Sequence, residues 1–193
     1  MNELAKIGFI YDVNLISKNG EIIEKRRAKN LIVNEGITCF LKNIFTTNMG
    51  MKCYAYGLIE TDCTIDATDT ITTGVFGKYG ANIFETTFAY KNLENTTNYY
   101  NGHPLAPSKR TLITETQTGV YFPEGYLPIT SKKTITGVFL IRGESSSSIS
   151  FNSTIAEIKR NFVLISAAKF DKPLQVFTNS TFKVKSTFQL SPL

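Results

Sequence analysis

A chain of 193 residues, 42% hydrophobic and 19% charged, can bury one core of ordinary domain size and is too apolar for a disordered segment. Its formal net charge of +5 is mild, so a nucleic-acid role needs that charge gathered on one face. No apolar run approaches the roughly 20 residues that cross a bilayer as a helix, and no basic segment followed by an apolar one opens the chain as a secretory signal would.

Ile7–Ser17 alternates roughly and runs into Lys18-Asn19-Gly20. Asn-Gly signals a hairpin turn, because both residues tolerate positive φ. Glu21–Lys29 is the expected return strand. It ends in Lys25, Arg26, Arg27 and Lys29, the candidate basic patch and the one obvious cluster of cations. Solvated surface is the favoured reading of that cluster, and no specific nucleic-acid partner is expected.

The stretch Lys29–Phe45 carries the convincing helix signal. Val33, Ile37, Phe40, Leu41, Ile44 and Phe45 recur three or four residues apart, which predicts an amphipathic helix. Asn30 and Asn34 both qualify as N-caps. Gly36 weakens the first turn by about 1 kcal/mol relative to Ala, and Asn48 and Gly50 end the helix or open the loop beyond it. Cys39 lies beside the apolar face and reads as a small core residue. With Cys53 and Cys63 it makes an odd set without CxxC or zinc spacing, which fits a reducing cytoplasm.

Met51–Glu60 reads as a buried strand. Thr61–Thr73 is a polar loop whose Asp62, Asp66 and Asp69 lack calcium-loop spacing, so turn and cap duty is expected of them. Gly74–Gly80 matches no phosphate-binding pattern and reads as a bent edge strand or loop. Ala81–Tyr90 is a strand with room for a bulge. Lys91–Arg110 is the longest irregular tract, a surface loop over 91–110 that carries Tyr99, Tyr100 and His103. Exposed Tyr and Asn suit adaptable contact surfaces, and no acid or nucleophile at a defined spacing accompanies His103.

Thr111–Phe122 alternates as a strand, and Pro123-Glu124-Gly125 turns the chain. Lys133–Arg142 is apolar on both faces toward its end and reads as a central strand. Ile149–Ile155 is a short strand. Lys159–Phe170 is compatible with strand or helix, and the run Phe162–Ile165 favours a buried strand. Asp171-Lys172-Pro173 is an expected turn, Leu174–Thr178 a strand, and Asn179-Ser180 a further turn. Thr181–Leu190 alternates cleanly, Phe182, Val184, Ser186, Phe188 and Leu190 against Lys183, Lys185, Thr187 and Gln189, as in an antiparallel sheet with one wet face.

These elements predict a mainly β chain: one domain over 1–193, an antiparallel β-sandwich with one short amphipathic helix packed on it, opened by a hairpin and helix within residues 1–48. No Ser–His–Asp set, carboxylate pair or metal spacing stands out, so no enzyme, cofactor or metal is expected.

The order of segments resembles tailed-bacteriophage virion structural proteins. Those chains begin with a hairpin and a segment like KNLVTNAGL, and here stand Lys29-Asn30-Leu31-Ile32-Val33-Asn34-Glu35-Gly36-Ile37. An iGtG strand and a tDT loop are similar to Tyr56-Gly57-Leu58 and Thr68-Asp69-Thr70, and a tITEvGLF strand to Thr134-Ile135-Thr136-Gly137-Val138-Phe139. The closing strand pair resembles Lys172–Val176 and Phe182–Phe188. The sequence departs at Ile59, where the pattern has a second glycine, and at Gly137, where it has an acid. The resemblance implies a tail, collar or fibre-attachment protein of the virion, made in the bacterial host cytoplasm. Such a protein works by symmetric assembly as a homo-oligomer with other virion proteins, without membrane association and without catalytic residues to carry over. The alternative is a receptor- or glycan-binding β-sandwich module in which Tyr99, Tyr100 and His103 line a shallow site.

Overall fold

The computed structural model describes residues 6–45, 53–80, 89–92, 98–100, 103–105, 119–121, 125–129, 131–143 and 155–191. In chain order these hold β1 (Lys6–Ile16), β2 (Ile22–Leu31), α1 (Asn34–Phe45), β3 (Cys53–Ile59), a π-helical segment (Ile71–Lys78), β4 (Ala89–Asn92), β5 (Asn98–Tyr100), β6 (His103–Leu105), β7 (Gly119–Tyr121), β8 (Gly125–Pro128), β9 (Lys133–Gly143), α2 (Ile155–Asn161), β10 (Phe162–Val176) and β11 (Thr181–Ser191). The chain is mainly β with antiparallel sheets, as its alternation predicts.

Period-two alternation makes the first sheet, ordered β2-β1-β11-β7, with β8 also paired to β11. β1 buries Phe9, Tyr11, Val13 and Leu15, and β11 buries Phe182, Val184 and Ser186. Ile10, Asp12 and Asn14, with Lys183 and Lys185, occupy the alternate positions. The β1–β2 turn departs from a two-residue Asn-Gly turn. Gly20 N–H donates to the Ser17 carbonyl (3.0 Å), Ser17 N–H to the Glu21 carbonyl (2.8 Å), and Gly20, not Asn19, takes positive φ, at 86°. This is the longer hairpin loop in which a glycine in the left-handed region follows a turn.

The second sheet runs β10-β9-β3-β4. β9 lies between β10 and β3 with both of its edges paired, and every residue from Ile135 to Arg142 is buried, so its two faces are covered as well. Gly57 on β3 sits opposite Phe139. A Cβ there would run into the Phe139 ring, so glycine is what lets that aromatic ring lie across the strand.

β10 carries two irregularities. Leu164 pairs with Ile141 and Ser166 with Leu140, which leaves Ile165 as the extra residue of a bulge. Lys169 pairs with Gly137 and Leu174 with Ile135, so Asp171-Lys172-Pro173 forms an excursion within one strand, where the sequence predicts a turn between two. At these irregular points β10 meets the first sheet. Ile32 bridges Ser166, Arg26 Nε donates to the Lys172 carbonyl (3.3 Å) and Asn30 Nδ2 to Ser166 Oγ (3.1 Å). Across the core the Tyr11 hydroxyl donates to the Ser166 carbonyl (3.3 Å), and the hydroxyls of Tyr56 and Ser186 share a hydrogen bond of 2.7 Å.

Two expectations about helices are corrected. The described residues hold α2 and a π-helical segment besides α1, and Ile155–Asn161 is helical before β10 starts at Phe162. The buried side of α1 matches the predicted stripe only in part: Val33 is buried and Phe40 packs on the core as predicted. Gly36 and Cys39 are buried with Val33 just ahead of them, whereas Ile37 and Leu41 are 43% and 49% exposed. Neither asparagine proves to be the cap: Asn30 lies in β2, and Asn34 is the first helical residue, its N–H donating to the Ala67 carbonyl at 2.8 Å. Gly36 explains the rotation, because a Cβ built on it would fall 2.9 Å from both Cα and C of Ile165. The helix lies directly on the β10 backbone, and only a face of small residues permits that approach. Phe40 reaches the other sheet, with ring centroids 6.3 Å from Phe9 and 5.6 Å from Phe188.

Candidate functional site

The bulge at Ile165 withdraws backbone groups from the β9–β10 ladder, and buried backbone groups must find partners elsewhere. The start of α1 supplies them. Val33 N–H donates to the Ile165 carbonyl at 3.3 Å. Glu35 Oε2 accepts from Leu164 N–H at 2.8 Å and from Ile71 N–H at 2.9 Å. One carboxylate oxygen thus joins the first turn of α1, the bulged strand and the start of the π-helical segment. Sequence reasoning passed over Glu35. Its signal was its type and place, an acid in the first turn of a helix, where free backbone N–H groups favour negative charge.

The neighbouring loop performs the turn and cap duty expected of it. Thr70 caps the π-helical segment: its hydroxyl accepts from Thr72 N–H (3.2 Å) and Thr73 N–H (3.1 Å), and the Thr73 hydroxyl accepts from Thr70 N–H (3.0 Å). Asp69 is buried and accepts from Asp66 N–H (2.9 Å) and from the Tyr79 hydroxyl (2.7 Å). The Lys78 ammonium sits between Asp66 (2.5 Å) and Asp69 (2.7 Å), the position a cation would take. Gly74–Lys78 is therefore part of a π-helical segment rather than a bent strand or loop.

Electrostatics follow from this packing. Burial opposes the Asp69 carboxylate. Hydrogen bonds from Lys78, the Asp66 amide and Tyr79 outweigh it, and with the charge of Lys78 they hold the Asp69 pKa below its ordinary value. Burial first, and the bond to Asp69 second, raise the Tyr79 pKa. A carboxyl whose folded pKa lies below its unfolded value adds stability above the unfolded pKa and loses it as the pH falls through the folded one. Thermal melts taken from about pH 5 down to about pH 2 should therefore show a stability loss that Asp69→Asn makes shallower. Equal slopes for both proteins would contradict the coupling.

The residues singled out from sequence are distributed as follows. Tyr99, Tyr100 and His103 come together in one two-stranded hairpin, with Tyr100 paired to His103 and Tyr99 to Pro104. The tract 91–110 is thus not irregular throughout: the end of β4 and both β5 and β6 lie within it. The basic cluster is split by the strand period. Lys25, Arg27 and Lys29 share one face of β2. Arg26 lies on the other, 22% exposed, and pairs with Glu24. Arg27 holds Asp12 with two bonds of 2.8 and 3.2 Å.

Cys39 is buried as expected, but its neighbour is polar: Arg142 Nη1 lies 2.7 Å from its sulfur. Among the described residues no cluster of His, Cys, Asp and Glu could hold a metal ion, and no helix is long and apolar enough to cross a membrane. No family model, no curated protein and no solved structure matches the chain.

Proposed function

We propose that the chain is a structural component of a tailed-bacteriophage virion, of the tail, collar or fibre-attachment kind. In this reading it is a β-sandwich with α1 packed across one end, acting through symmetric assembly with its own copies and other virion proteins. One observation supports the reading above the rest. The short segments that carry the resemblance are neighbours in the fold. Gly57 pairs with Phe139 and Leu58 with Val138, Thr134 with Gln175 and Ile135 with Leu174. Lys29–Ile37 joins the Thr68–Thr70 loop through Asn34 N–H on the Ala67 carbonyl and Glu35 on Ile71 N–H. Cross-sheet bonds from Tyr56 and Tyr11 support the sandwich.

Exposed apolar side chains support an interaction role: Ile37 and Leu41 on α1, Ile22 and Ile23 at the hairpin tip, and Phe177 in the β10–β11 turn. A closed ring or trimer would cover such residues at the apolar centre of its interface. Light scattering over a concentration series should give one native mass, a small whole multiple of the chain. A strict monomer throughout, with Ile37→Lys and Leu41→Lys unchanged in solubility and mass, would overturn intrinsic assembly. The register that sets Tyr100 against His103 favours the second reading, a glycan- or receptor-binding module. A monomer that binds a defined sugar, and loses it on Tyr100→Ala, would establish that one.

A further inference from the structure

Asn19 and Gly20 stand at the tip of the β1–β2 hairpin, exposed together with Lys18 and Glu21 on either side. Gly20 supplies the positive φ of this loop, at 86°, and Asn19 supplies none. A Cβ built on Gly20 would meet nothing within 4 Å, so the space beside its amide is open. The loop is held through Ser17. Its N–H donates to the Glu21 carbonyl (2.8 Å), its carbonyl accepts from Gly20 N–H (3.0 Å) and its hydroxyl accepts from Glu21 N–H (3.1 Å).

From this loop we infer a modification site: Asn19 converts spontaneously to aspartate and isoaspartate through a cyclic imide, and Ser17 restrains the conversion. The Gly20 nitrogen, once a base has taken its proton, attacks Asn19 Cγ. The N–Cγ bond forms, the Cγ–Nδ2 bond breaks and ammonia leaves with a proton. Water then opens the ring at either carbonyl. Opening at Cγ leaves aspartate, and opening at the main-chain carbonyl carries the chain on through Cγ as isoaspartate. The net exchange is one water in and one ammonia out, so no oxidant or cofactor enters the balance. Glycine leaves the attacking nitrogen unscreened, because it has no side chain beside it. Asn179-Ser180 is the contrast. Asn179 is exposed too, but Ser180 is buried, carries a side chain and donates its N–H to the Phe177 carbonyl at 3.1 Å. At Gly20 the bond to the Ser17 carbonyl must open before the ring can close. Opening costs little at an exposed hairpin tip, while buried Phe9, Tyr11, Val13 and Leu15 hold β1 in register with β2. The new carboxylate, or the extra backbone carbon of isoaspartate, therefore stays at the tip. The inference is independent of whether the chain assembles.

Peptide mass mapping of the full chain, incubated at about pH 7 and about pH 9, tests the inference. The peptide holding Asn19 should gain about 1 Da, faster at the higher pH, and separate into two isomers of equal mass. The peptide holding Asn179 should keep its mass over the same period. Asn101-Gly102, the other Asn-Gly pair of the chain, is read on its own peptide. Asn19→Gln should hold its mass, since its longer side chain would have to close a larger ring. Ser17→Ala removes the hydroxyl that Glu21 N–H donates to. It should speed the gain at Asn19 about two- to fivefold, the factor that the net contribution of one hydrogen bond gives. Asn179 should stay unmodified in that variant, a contrast that general unfolding cannot imitate. An Asn19 peptide unchanged after weeks at the higher pH would overturn the site, as would conversion no faster than that of Asn179. Equal rates with and without the Ser17 hydroxyl would overturn its restraint.

Discussion

Replacing Gly36 with alanine should lower the melting temperature by about 4–8 °C, the opposite of what helix propensity alone predicts. Gly36 is the third residue of α1, and exchanging a helical glycine for alanine usually gains up to about 1 kcal/mol. On that basis the variant would melt roughly 2–4 °C higher in a chain of this length. The packing reverses the sign. The new methyl would meet the carbonyl oxygen of Ile165 well inside 3.0 Å, and the C and Cα of the same residue at 2.9 Å. These atoms belong to a bulged strand backbone buried between α1 and β9, so they have little room to retreat. Overpacking of this kind costs about 1–3 kcal/mol. Contact with a backbone that cannot retreat puts the cost at the upper end, about 3 kcal/mol, and less a propensity gain of about 1 kcal/mol about 2 kcal/mol remains, which sets the expected shift. Calorimetry or a circular dichroism melt measures it. An unchanged or raised melting temperature would mean that α1 does not rest on β10 as described.

Gly36 also marks where sequence and structure part. The period-two elements were legible, because a strand's burial pattern depends on which residues alternate and little else. β1, β9 and β11 appear where their alternation or apolar runs put them. The position of α1 was legible and its orientation was not. A helical stripe is read by weighing large apolar side chains, which points to Ile37 and Leu41. The contact is instead made by Gly36 and Cys39, because the helix approaches a backbone rather than a bed of side chains. The π-helical segment was hidden for a similar reason. Glycines at 74, 77 and 80 obscure any period, and the segment is held by bonds that Ile71 N–H donates to Glu35 and that the Tyr79 hydroxyl, just after it, donates to Asp69.

Glu35→Ala should be the most damaging single change at the junction. Glu35 Oε2 accepts two backbone N–H groups, from Leu164 at 2.8 Å and from Ile71 at 2.9 Å. Hydrogen bonds to a charged acceptor contribute about 1.5–3 kcal/mol each, and a buried donor left without a partner carries its own desolvation cost. Both donors lie where backbone partners are lacking, one beside the Ile165 bulge and one in the first turn of a helical segment, whose leading N–H groups have no intrahelical acceptor. A loss of about 3–5 kcal/mol is therefore expected for the alanine variant, a drop in melting temperature of about 6–20 °C. Glu35→Gln separates hydrogen bonding from bulk. Its amide oxygen can take the place of Oε2 and keep both N–H groups satisfied, so it should recover most of the stability and lose only about 1–2 kcal/mol of charge-assisted strength. The damage should also have a location. Amide hydrogen exchange should quicken at Ile71 and Leu164 in the alanine variant while the centre of β1 stays protected. If the glutamine variant is as unstable as the alanine variant, or if exchange rises evenly through both sheets, then the carboxylate oxygen is not what ties α1, β10 and the π-helical segment together.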